Sequence, residues 1–267
     1  MMNGKRIVVF LPAFNTALPL AMTLKVIPRP PVDEMIVVDD GSKDATAQVG
    51  RELGATVVSH AKNSGYGAAQ KTGFAECLKR NADVIVMVHS DFQYDPRLVP
   101  EIIADIVEGR ADACFGSRMH RKRDALKGGM HWWRFVANIC LTFIEDCVLQ
   151  LGLSEYHTGY RAYSREVLER IPYLLNSDNY VFDTEMIAEL RAGNFRVTEI
   201  AIPTRYSEES SSPTFWKSVR YGFSTLGVLW SYILHQTGMA KSAKFEIRNH
   251  IQASAQSVKS AEVVTVR

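Results

Sequence analysis

Short runs of apolar residues that end abruptly in polar residues recur along the first half of this chain. Five of them are rich in branched side chains and predict buried strands, at residues 6–11, 34–39, 55–59, 83–89 and 112–117. Helical stretches are predicted between them, at residues 18–26, 44–53, 65–80 and 97–108. Strands that alternate with helices predict an α/β fold, with a mostly parallel central sheet flanked by helices.

The pattern changes after residue 118. An apolar helix is predicted from about residue 131 to residue 151, a second helix over residues 179–192 and a strand over residues 195–206. We therefore expect one domain over residues 1–206. Residues 207–240 should form a linker and a C-terminal amphipathic helix, and the polar tail at residues 241–267 is expected to be disordered.

A carboxylate and an amide follow the strand predicted at residues 83–89. Ligands of open α/β sheets lie just outside the carboxyl ends of such strands. Asp95 and Pro96 already supply a helix N-cap, which leaves Asp91 and Gln93 without a local role. Their oxygens suit a hard divalent cation, Mg²⁺ or Mn²⁺, shared with a diphosphate. A turn role for Asp91 is the alternative, and this segment alone does not separate the two.

A second predicted strand ends in the adjacent carboxylates of Asp39 and Asp40. Two such carboxylates repel each other unless a donor or a cation lies nearby. The base and ribose of a nucleotide offer N–H and O–H donors, so these residues can hold a nucleoside. Gly41 and Ser42 favour a capping turn instead. The turn after the first strand lacks the glycine-rich motifs of dinucleotide folds and P-loops, so a glycine-rich first loop is excluded.

Six segments, taken together, resemble the family 2 glycosyltransferases that have a GT-A domain: LPAFN, VVDDGSKDAT, NSGYGAAQKTGF, SDFQYDP, GSR and HTGYRAYSREVL. The resemblance covers about residues 5–206 and is nearest to the dolichyl- and polyprenyl-phosphate sugar synthases. It implies a nucleotide half at residues 1–118 and an acceptor half at residues 119–206. The implied reaction moves a sugar, with inversion, from a UDP- or GDP-sugar to an acceptor such as a polyprenyl phosphate.

The resemblance also implies roles for individual residues. Asp91 and Gln93 would hold the metal, and Asp91 would be catalytic. Asp183 and Glu185 are the candidates for a general base, which only a hydroxyl acceptor needs, although acids are favoured at a helix start in any case. The residues expected to bind the nucleotide sugar are Pro12, Ala13, Asn15, Asp39, Asp40, Asn63, Gly65, Gly67, Arg118 and Arg205.

Several of these assignments have a structural alternative. Gly65 and Gly67 would let the backbone approach a flat base, or would only shape a helix-entry turn. Arg118 and Arg205 offer forked donors to a diphosphate, and Arg161 is a weaker candidate for the same role. A salt bridge would explain each of these arginines equally well.

His89 occupies the position where the sugar synthases carry the first acid of Asp-x-Asp-x-Gln. A nitrogen ligand there would favour Mn²⁺ over Mg²⁺. A histidine at a strand end more often hydrogen-bonds a neighbour, and we do not count His89 as a ligand. The substitution also leaves open an inactive nucleotide-sugar-binding module, against which the retained Asp91, Gln93, Arg118 and Arg205 argue.

The acceptor is less well defined by the sequence. A basic stretch after GSR would bind an anionic head group such as a lipid phosphate, or would be a solvated loop; it contains His120, Arg121, Lys122, Arg123 and Lys127. Transfer to a soluble or glycan hydroxyl, with Asp183 as the base, is the alternative reaction. The Q-x-x-R-W motif of processive members is missing after residue 180, so we expect one sugar per encounter. A nucleotidyltransferase is disfavoured by the first loop.

Composition narrows the setting. The net charge of +2 among 267 residues gives no reason to expect a nucleic-acid partner. The four cysteines form no C-x-x-C pair and are expected to be reduced, as in a cytoplasmic protein. The N-terminal apolar run is expected to be a strand and not a signal peptide. The apolar helix near residues 219–235 would lie at the inner membrane face, or pack on the domain or on a second copy in a homodimer, and we favour packing.

Overall fold

The computed structural model describes residues 1–120, 131–203 and 215–247, the side chains of Phe215 and Lys217 excepted. Seven strands of this part of the chain form one sheet: β1 (Ile7–Ala13), β2 (Glu34–Asp39), β3 (Thr56–Ser59), β4 (Val84–Met87), β5 (Ala113–Ser117), β6 (Arg161–Ser164) and β7 (Val197–Ala201). Their order is β3-β2-β1-β4-β6-β5-β7, and β6 alone runs antiparallel to its neighbours within this sheet. The predicted mostly parallel α/β fold is confirmed.

Helices cover both faces of the sheet. In chain order they are α1 (Ala17–Val26), α2 (Thr46–Glu52), α3 (Tyr66–Lys79), α4 (Val99–Val107), α5 (Trp132–Leu149), α6 (Arg165–Arg170), α7 (Phe182–Ala192) and α8 (Phe215–Gln236). Short 3₁₀ turns lie at Pro96–Leu98, Tyr173–Leu175 and Ala243–Phe245. Among the residues described, none of these helices combines the length and the hydropathy that crossing a membrane requires.

The strands are continuous apolar runs because helices cover both faces of the sheet. In β1, Val8 and Phe10 enter the core that also holds Phe74 of α3 and Phe182 of α7. The alternate residues of the same strand enter the opposite core, with Leu20 of α1. Successive side chains of a strand point to opposite faces, so a strand covered on both sides must be apolar at every position.

The strand register brings the polar strand ends to one edge. Ala13 of β1 is paired with Asp39 of β2, and Phe10 of β1 with Met87 of β4. Because β1, β2 and β4 are parallel, the turns that follow them meet at the same edge of the sheet. The carboxyl edge of these strands is the place where an open α/β sheet binds its ligand.

The structure differs from the predicted elements in several places. Strand β6 and helix α6 come from the HTGYRAYSREVL segment, for which no element was predicted. Helix α2 begins two residues after Asp44, whose carboxylate accepts from the Thr46 N–H at 3.0 Å and so precedes the helix as a cap. Helix α7 begins at Phe182 instead of residue 179. Strand β7 ends at Ala201, whereas residues 204–206 of the predicted strand lie outside the described part.

The expected disordered tail from residue 241 is wrong for its first residues. Phe245 is buried, and its ring packs edge-on against Tyr232 of α8 with the ring centroids 5.4 Å apart. The Phe245 ring thus helps to attach residues 241–247 to the core.

Candidate functional site

The turns after β1 and β2 are tied to each other by hydrogen bonds. Asn15, in the left-handed region at φ 51°, accepts from the Lys43 N–H at 2.8 Å through its side-chain oxygen. Its own N–H donates to Ser42 Oγ at 2.9 Å. Asn15 therefore shapes this edge of the site, and its predicted contact with a nucleotide stays a prediction.

Asp39 and Asp40 are both buried but are differently engaged. Asp39 accepts from the Ser42 N–H at 3.0 Å through one oxygen. Asp40 accepts from the Ser64 and Gly65 N–H groups at 2.8 and 2.9 Å, one on each oxygen, and His60 Nδ1 lies 2.7 Å away. The capping alternative therefore accounts for Asp40. Asp39 is the carboxylate with an oxygen left over among the described residues, and its nucleoside contact remains predicted.

Gly65 and Gly67, at the start of α3, allow a close backbone approach, and residues 177–178 of the same chain make it. A Cβ added to Gly67 would lie 2.2 Å from the Ser177 carbonyl oxygen, and one added to Gly65 would lie 2.3 Å from that of Asp178. The Gly67 N–H donates to the same Asp178 oxygen at 2.9 Å. The turn alternative thus explains both glycines. Asn63, on the same turn, is exposed.

The turn after β4 carries Ser90, Asp91 and Gln93 at the carboxyl edge of the sheet. Ser90 Oγ donates to the Pro12 carbonyl oxygen at 2.8 Å and so fixes this turn against the end of β1. Asp91 Oδ1 accepts from the Gln93 N–H at 3.0 Å. Within the described ranges, neither Asp91 Oδ2 nor the Gln93 side-chain amide has a hydrogen-bond partner, and both residues are partly exposed.

This pair of oxygen donors fits a hard divalent cation that takes its other ligands from a diphosphate and from water. The described residues contain no group of three or more His, Cys, Asp or Glu side chains placed around one point. Asp91 and Gln93 would therefore supply only part of the oxygen shell of such an ion, and the predicted metal site stays a prediction.

His89 hydrogen-bonds a neighbour, as the alternative interpretation stated. Its Nε2 lies 3.1 Å from the Tyr66 hydroxyl, which donates to Asp183 Oδ2 at 3.0 Å. Because that hydroxyl has one proton, the Nε2–H of His89 is the donor to its oxygen. A Cβ added to Gly159 would lie 2.0 Å from Nε2, so the ring also packs on that glycine. Burial, followed by the Asp183 charge, raises the pKa of Tyr66 well above its usual value.

The two predicted base candidates on α7 have different surroundings. Asp183 accepts from Tyr66 and, at 3.0 Å, from Gln70 Nε2. Glu185 accepts from Ser177 through both oxygens and pairs with Lys244 at 2.5 Å. Both Glu185 oxygens are thus occupied in holding the chain before and after α7. Both Asp183 oxygens are likewise engaged, by Tyr66 and Gln70, so a base role for either residue stays a prediction.

Arg161 is a structural arginine. It is fully buried, donates to the backbone carbonyl oxygens of Tyr156, Thr158 and Asp183, and lies over the Phe115 ring at 4.7 Å. Burial alone would lower the pKa of Arg161, but the Asp183 charge together with Tyr163 and Tyr66 holds the pKa above its usual value. A diphosphate cannot reach this guanidinium, so the weaker candidate of the three arginines is excluded.

Arg118 forms a buried ion pair that the sequence did not predict. Glu155 is fully buried and accepts from the Arg118 N–H at 2.7 Å, from its Nε at 2.9 Å and from its Nη2. Asn138 of α5 donates to the same carboxylate at 2.9 Å. Burial alone would raise the pKa of Glu155, but the Arg118 charge and the hydrogen bonds from Arg118 and Asn138 together lower it. The salt-bridge alternative is present, and a diphosphate contact of Arg118 stays a prediction.

Comparison with known proteins decides the family. The model of the glycosyl transferase family 2 matches residues 8–172, more than half of the chain. The chain belongs to glycosyl transferase family 2.

Relatives of this glycosyltransferase cover most of its length. It is 31% identical over 210 residues to an uncharacterised protein of Methanocaldococcus jannaschii, covering 79% of this chain and 86% of that protein. It is 30% identical to the polyprenol monophosphomannose synthase of Mycolicibacterium smegmatis, covering 74% and 77%. It is 25% identical to the UDP-N-acetylglucosamine–dolichyl-phosphate N-acetylglucosaminyltransferase of Methanococcus voltae, covering 78% and 89%.

Solved structures confirm the GT-A fold. Glucosyl-3-phosphoglycerate synthase from Mycobacterium tuberculosis, in complex with UDP, superposes with a TM-score of 0.66. The match covers 86% of this chain and 80% of that one at 20% identity. The same enzyme in complex with Mn²⁺, UDP and glucosyl-3-phosphoglycerate matches at 18% identity with the same TM-score.

A second polar group of the glycosyltransferase was also missed from the sequence. His157 Nε2 lies 3.1 Å from Glu145 Oε2 of α5, and its Nδ1 lies 3.2 Å from the Tyr221 hydroxyl of α8. That hydroxyl lies 3.3 Å from Thr184 Oγ1 of α7. This series of polar contacts connects α5, α7 and α8. Glu145 and Tyr221 lie 76 residues apart in the sequence, and no sequence spacing indicates such a contact.

Some predicted residues cannot be placed. Arg205, Arg121, Lys122, Arg123 and Lys127 lie outside the described residues. His120 is described, is exposed, and has its Nδ1 3.3 Å from Glu199 Oε1.

Proposed function

We propose that this glycosyltransferase binds a nucleoside diphosphate sugar, a UDP- or GDP-sugar, with the help of Mg²⁺ or Mn²⁺. It then transfers one sugar per encounter, with inversion, to a polyprenyl phosphate. The observation that carries the proposal is the turn after β4, where Asp91 Oδ2 and the Gln93 amide oxygen have no partner among the described residues. They lie at the same sheet edge as Asp39, where a nucleotide would sit.

The comparisons support a nucleotide-sugar donor, a divalent cation and a polyprenyl phosphate acceptor. Structural neighbours contain UDP with Mn²⁺ or Mg²⁺, and two contain UDP-glucose. Two relatives are named for transfer to polyprenol or dolichyl phosphate. Asp91 and Gln93 would hold the cation, which would supply positive charge to the departing diphosphate.

The remaining donor contacts fall into two sets, one for the nucleoside and one for the diphosphate. The Pro12–Asn15 turn and Asp39 face the nucleoside, with Asn63 at the rim. Arg118 and Arg205 provide cationic donors for the diphosphate. Arg118 is already oriented by Glu155, so its guanidinium is held in one position before a donor arrives.

The acceptor attacks the anomeric carbon in line with the leaving group. A phosphate oxygen of the acceptor forms the new C–O bond, and the bond from that carbon to the diphosphate oxygen breaks with its electron pair. A phosphate is anionic at neutral pH, so it requires no general base. This agrees with the surroundings of Asp183, whose oxygens accept from Tyr66 and Gln70.

An enzyme that catalyses this reaction would act as a peripheral protein at the cytoplasmic side of a membrane. Its acceptor is anchored in lipid, whereas its donor is soluble. A homodimer is the further assembly that the apolar surface of α8 permits.

A donor panel with a transfer assay tests the proposal. UDP- and GDP-sugars are added with Mn²⁺, Mg²⁺ or EDTA, and both the melting temperature and the transfer of labelled sugar to a short polyprenyl phosphate are measured. Saturation at a hundredfold excess over Kd adds about 2.7 kcal/mol to the free energy of unfolding. We expect one donor to give a metal-dependent shift and a labelled lipid.

Asp91→Asn should abolish the shift and the transfer. The matched control is Asp105→Asn on α4, a surface carboxylate paired with Arg110, which should retain both. A labelled product that forms only with a free sugar hydroxyl would replace the phosphate acceptor by a hydroxyl acceptor. Donor binding without any transfer would contradict the proposed reaction.

A further inference from the structure

The outward face of α5 carries no polar side chain. Its exposed positions are Trp132, Val136, Ala137, Cys140, Phe143, Ile144 and Cys147. Trp132 and Phe143 expose about three quarters and two thirds of their surface, at 74% and 69%. Single exposed apolar residues are ordinary on a protein surface, but a contiguous face of this kind marks a site of interaction.

Helix α8 extends this surface. Trp216, Phe223 and Trp230 are exposed by 78%, 71% and 62%. The two helices touch where Leu141 of α5 lies 3.8 Å from the position of a Cβ on Gly222 of α8. We call the exposed residues of these two helices the α5–α8 platform.

The charge on the platform has one sign. On α8, Arg220 is exposed, and the helix contains no Asp or Glu. On α5, Glu145 is buried, and Asp146 turns to the Tyr156 hydroxyl and the Gly152 N–H. A surface with exposed tryptophans, apolar side chains and only basic charge complements the interface of a bilayer that contains anionic lipids.

The inward faces of the same helices belong to the site. Asn138 of α5 donates to Glu155, which holds Arg118. On α8, Tyr221 contacts His157, whose carbonyl oxygen accepts from Arg118. One helix diameter, about 10 Å, therefore separates the platform from the guanidinium expected to meet phosphate.

We propose that the α5–α8 platform docks on a membrane surface carrying anionic lipids. The inference rests on the proposed function, and it identifies the surface that brings a lipid-borne phosphate to the site. The platform lies on the bilayer and does not cross it, because its aromatic side chains form one face of each helix while the opposite face packs on the domain.

Vesicle sedimentation of the full chain tests the docking. Vesicles of phosphatidylcholine, with or without phosphatidylglycerol, are mixed with the protein, and neither donor nor metal is added. We expect binding to the anionic vesicles that weakens as salt is raised. Phe143→Ser combined with Trp230→Ser should weaken binding by about tenfold or more, since each substitution removes a large apolar contact with the membrane.

A matched control removes exposed apolar residues elsewhere. Leu18 of α1 and Leu174 of the 3₁₀ turn are 66% and 64% exposed. Leu18→Ser combined with Leu174→Ser should leave vesicle binding unchanged. An equal loss in this control would show that binding does not depend on the platform and would overturn the proposal.

The native cysteines provide a second readout. Cys140 and Cys147 are exposed on the platform, whereas Cys77 and Cys114 are buried. In a Cys147→Ser variant, an environment-sensitive fluorophore on Cys140 should shift to the blue with anionic vesicles and be quenched by nitroxide-labelled lipids. A fluorophore that remains in water while the protein binds would overturn the proposal.

One further outcome would assign the platform to a second copy of the chain, and another would separate the two proposals. Sedimentation velocity without vesicles would reveal a dimer; a dimer that dissociates in the Phe143→Ser, Trp230→Ser variant and does not bind vesicles would make a second copy the occupant. Vesicle binding without sugar transfer would contradict the proposed reaction and leave the docking intact. The two proposals can therefore fail separately.

Discussion

At the scale of single residues, the site is held by charges that are paired before any ligand binds. The Arg118 side chain is 10% exposed and the Glu155 side chain is fully buried, so neither charge is well solvated. Removing one member of a buried pair leaves the other without compensation, which costs more than the pair itself contributes. The pair thus has a structural role that is separable from the predicted contact with the diphosphate.

Glu155→Gln should lower the free energy of unfolding by about 3–5 kcal/mol, because Arg118 then loses its carboxylate. The double variant with Arg118→Gln and Glu155→Gln should recover much of this loss, since no charge remains buried. Urea denaturation measures both.

An exposed pair provides the control. Asp105→Asn breaks its ion pair with Arg110 and should change stability by less than about 1 kcal/mol. If the double variant is stable but no longer binds the donor, Arg118 contacts the diphosphate. A double variant as unstable as Glu155→Gln would contradict the separation of the two roles.

At the scale of elements, α3 is placed by two glycines that leave room for a neighbouring backbone. Its first turn meets residues 177–178, which precede α7, and Lys71 of α3 pairs with Asp178 at 2.7 Å. Tyr66 and Gln70 on the same helix reach Asp183. The packing of α3 against this segment therefore determines where the side chains around Asp183 lie.

Gly67→Ala should destabilise the protein by about 1–3 kcal/mol, because the new methyl group would lie 2.2 Å from the Ser177 carbonyl oxygen and the backbone must move. Thermal denaturation measures the loss. Gly227→Ala on α8 is the control, since nothing lies within 4 Å of the added carbon and helix propensity improves there. Equal melting temperatures for Gly67→Ala and the wild type would show that the contact is looser than described.

At the scale of the whole molecule, the C-terminal segment closes over α7 and buries acids there. Lys244 pairs with Glu185, and Phe245 packs on α8. Glu189 on α7 is fully buried, and among the described residues its Oε2 accepts only from Asn176 Nδ2, at 3.1 Å. Burial raises the pKa of Glu189 well above its usual value of 4.5, although the Asn176 hydrogen bond lowers it.

This raised pKa predicts a dependence of stability on pH. The folded state holds the Glu189 proton more tightly than the unfolded state, so the stabilisation is complete below pH 4.5 and is lost as the pH rises towards the folded pKa. Glu189→Gln should therefore become more stable relative to the wild type as the pH is raised from 4 to 8, measured by urea denaturation at each pH.

The exposed Glu52, which accepts from Gln48, provides the control. Glu52→Gln should show no such trend. A constant difference between Glu189→Gln and the wild type across this range would contradict the raised pKa.

The sequence predicted most of the nucleotide half because its signals are local. Strands β1, β2 and β4 are continuous apolar runs, and the polar residues that end them meet at one edge in any parallel sheet. Strand β6 was missed because the charge of Arg161 interrupts its apolar pattern. That charge is compatible with a central strand only because carbonyl oxygens and Asp183 surround it in the folded protein.

Local sequence alone thus determined the α/β class, the family resemblance and the Asp91–Gln93 turn, since each depends on residues that are close together in the chain. Only the tertiary structure decided which polar residues remain available to a ligand. Distant segments engage Asp40, Gly65, Gly67 and Glu185, which the sequence did not predict, and the functional interpretations of these residues stay predictions. The outward apolar face of α5 likewise depends on which side of the helix packs on the domain, and packing between distant segments determines that side.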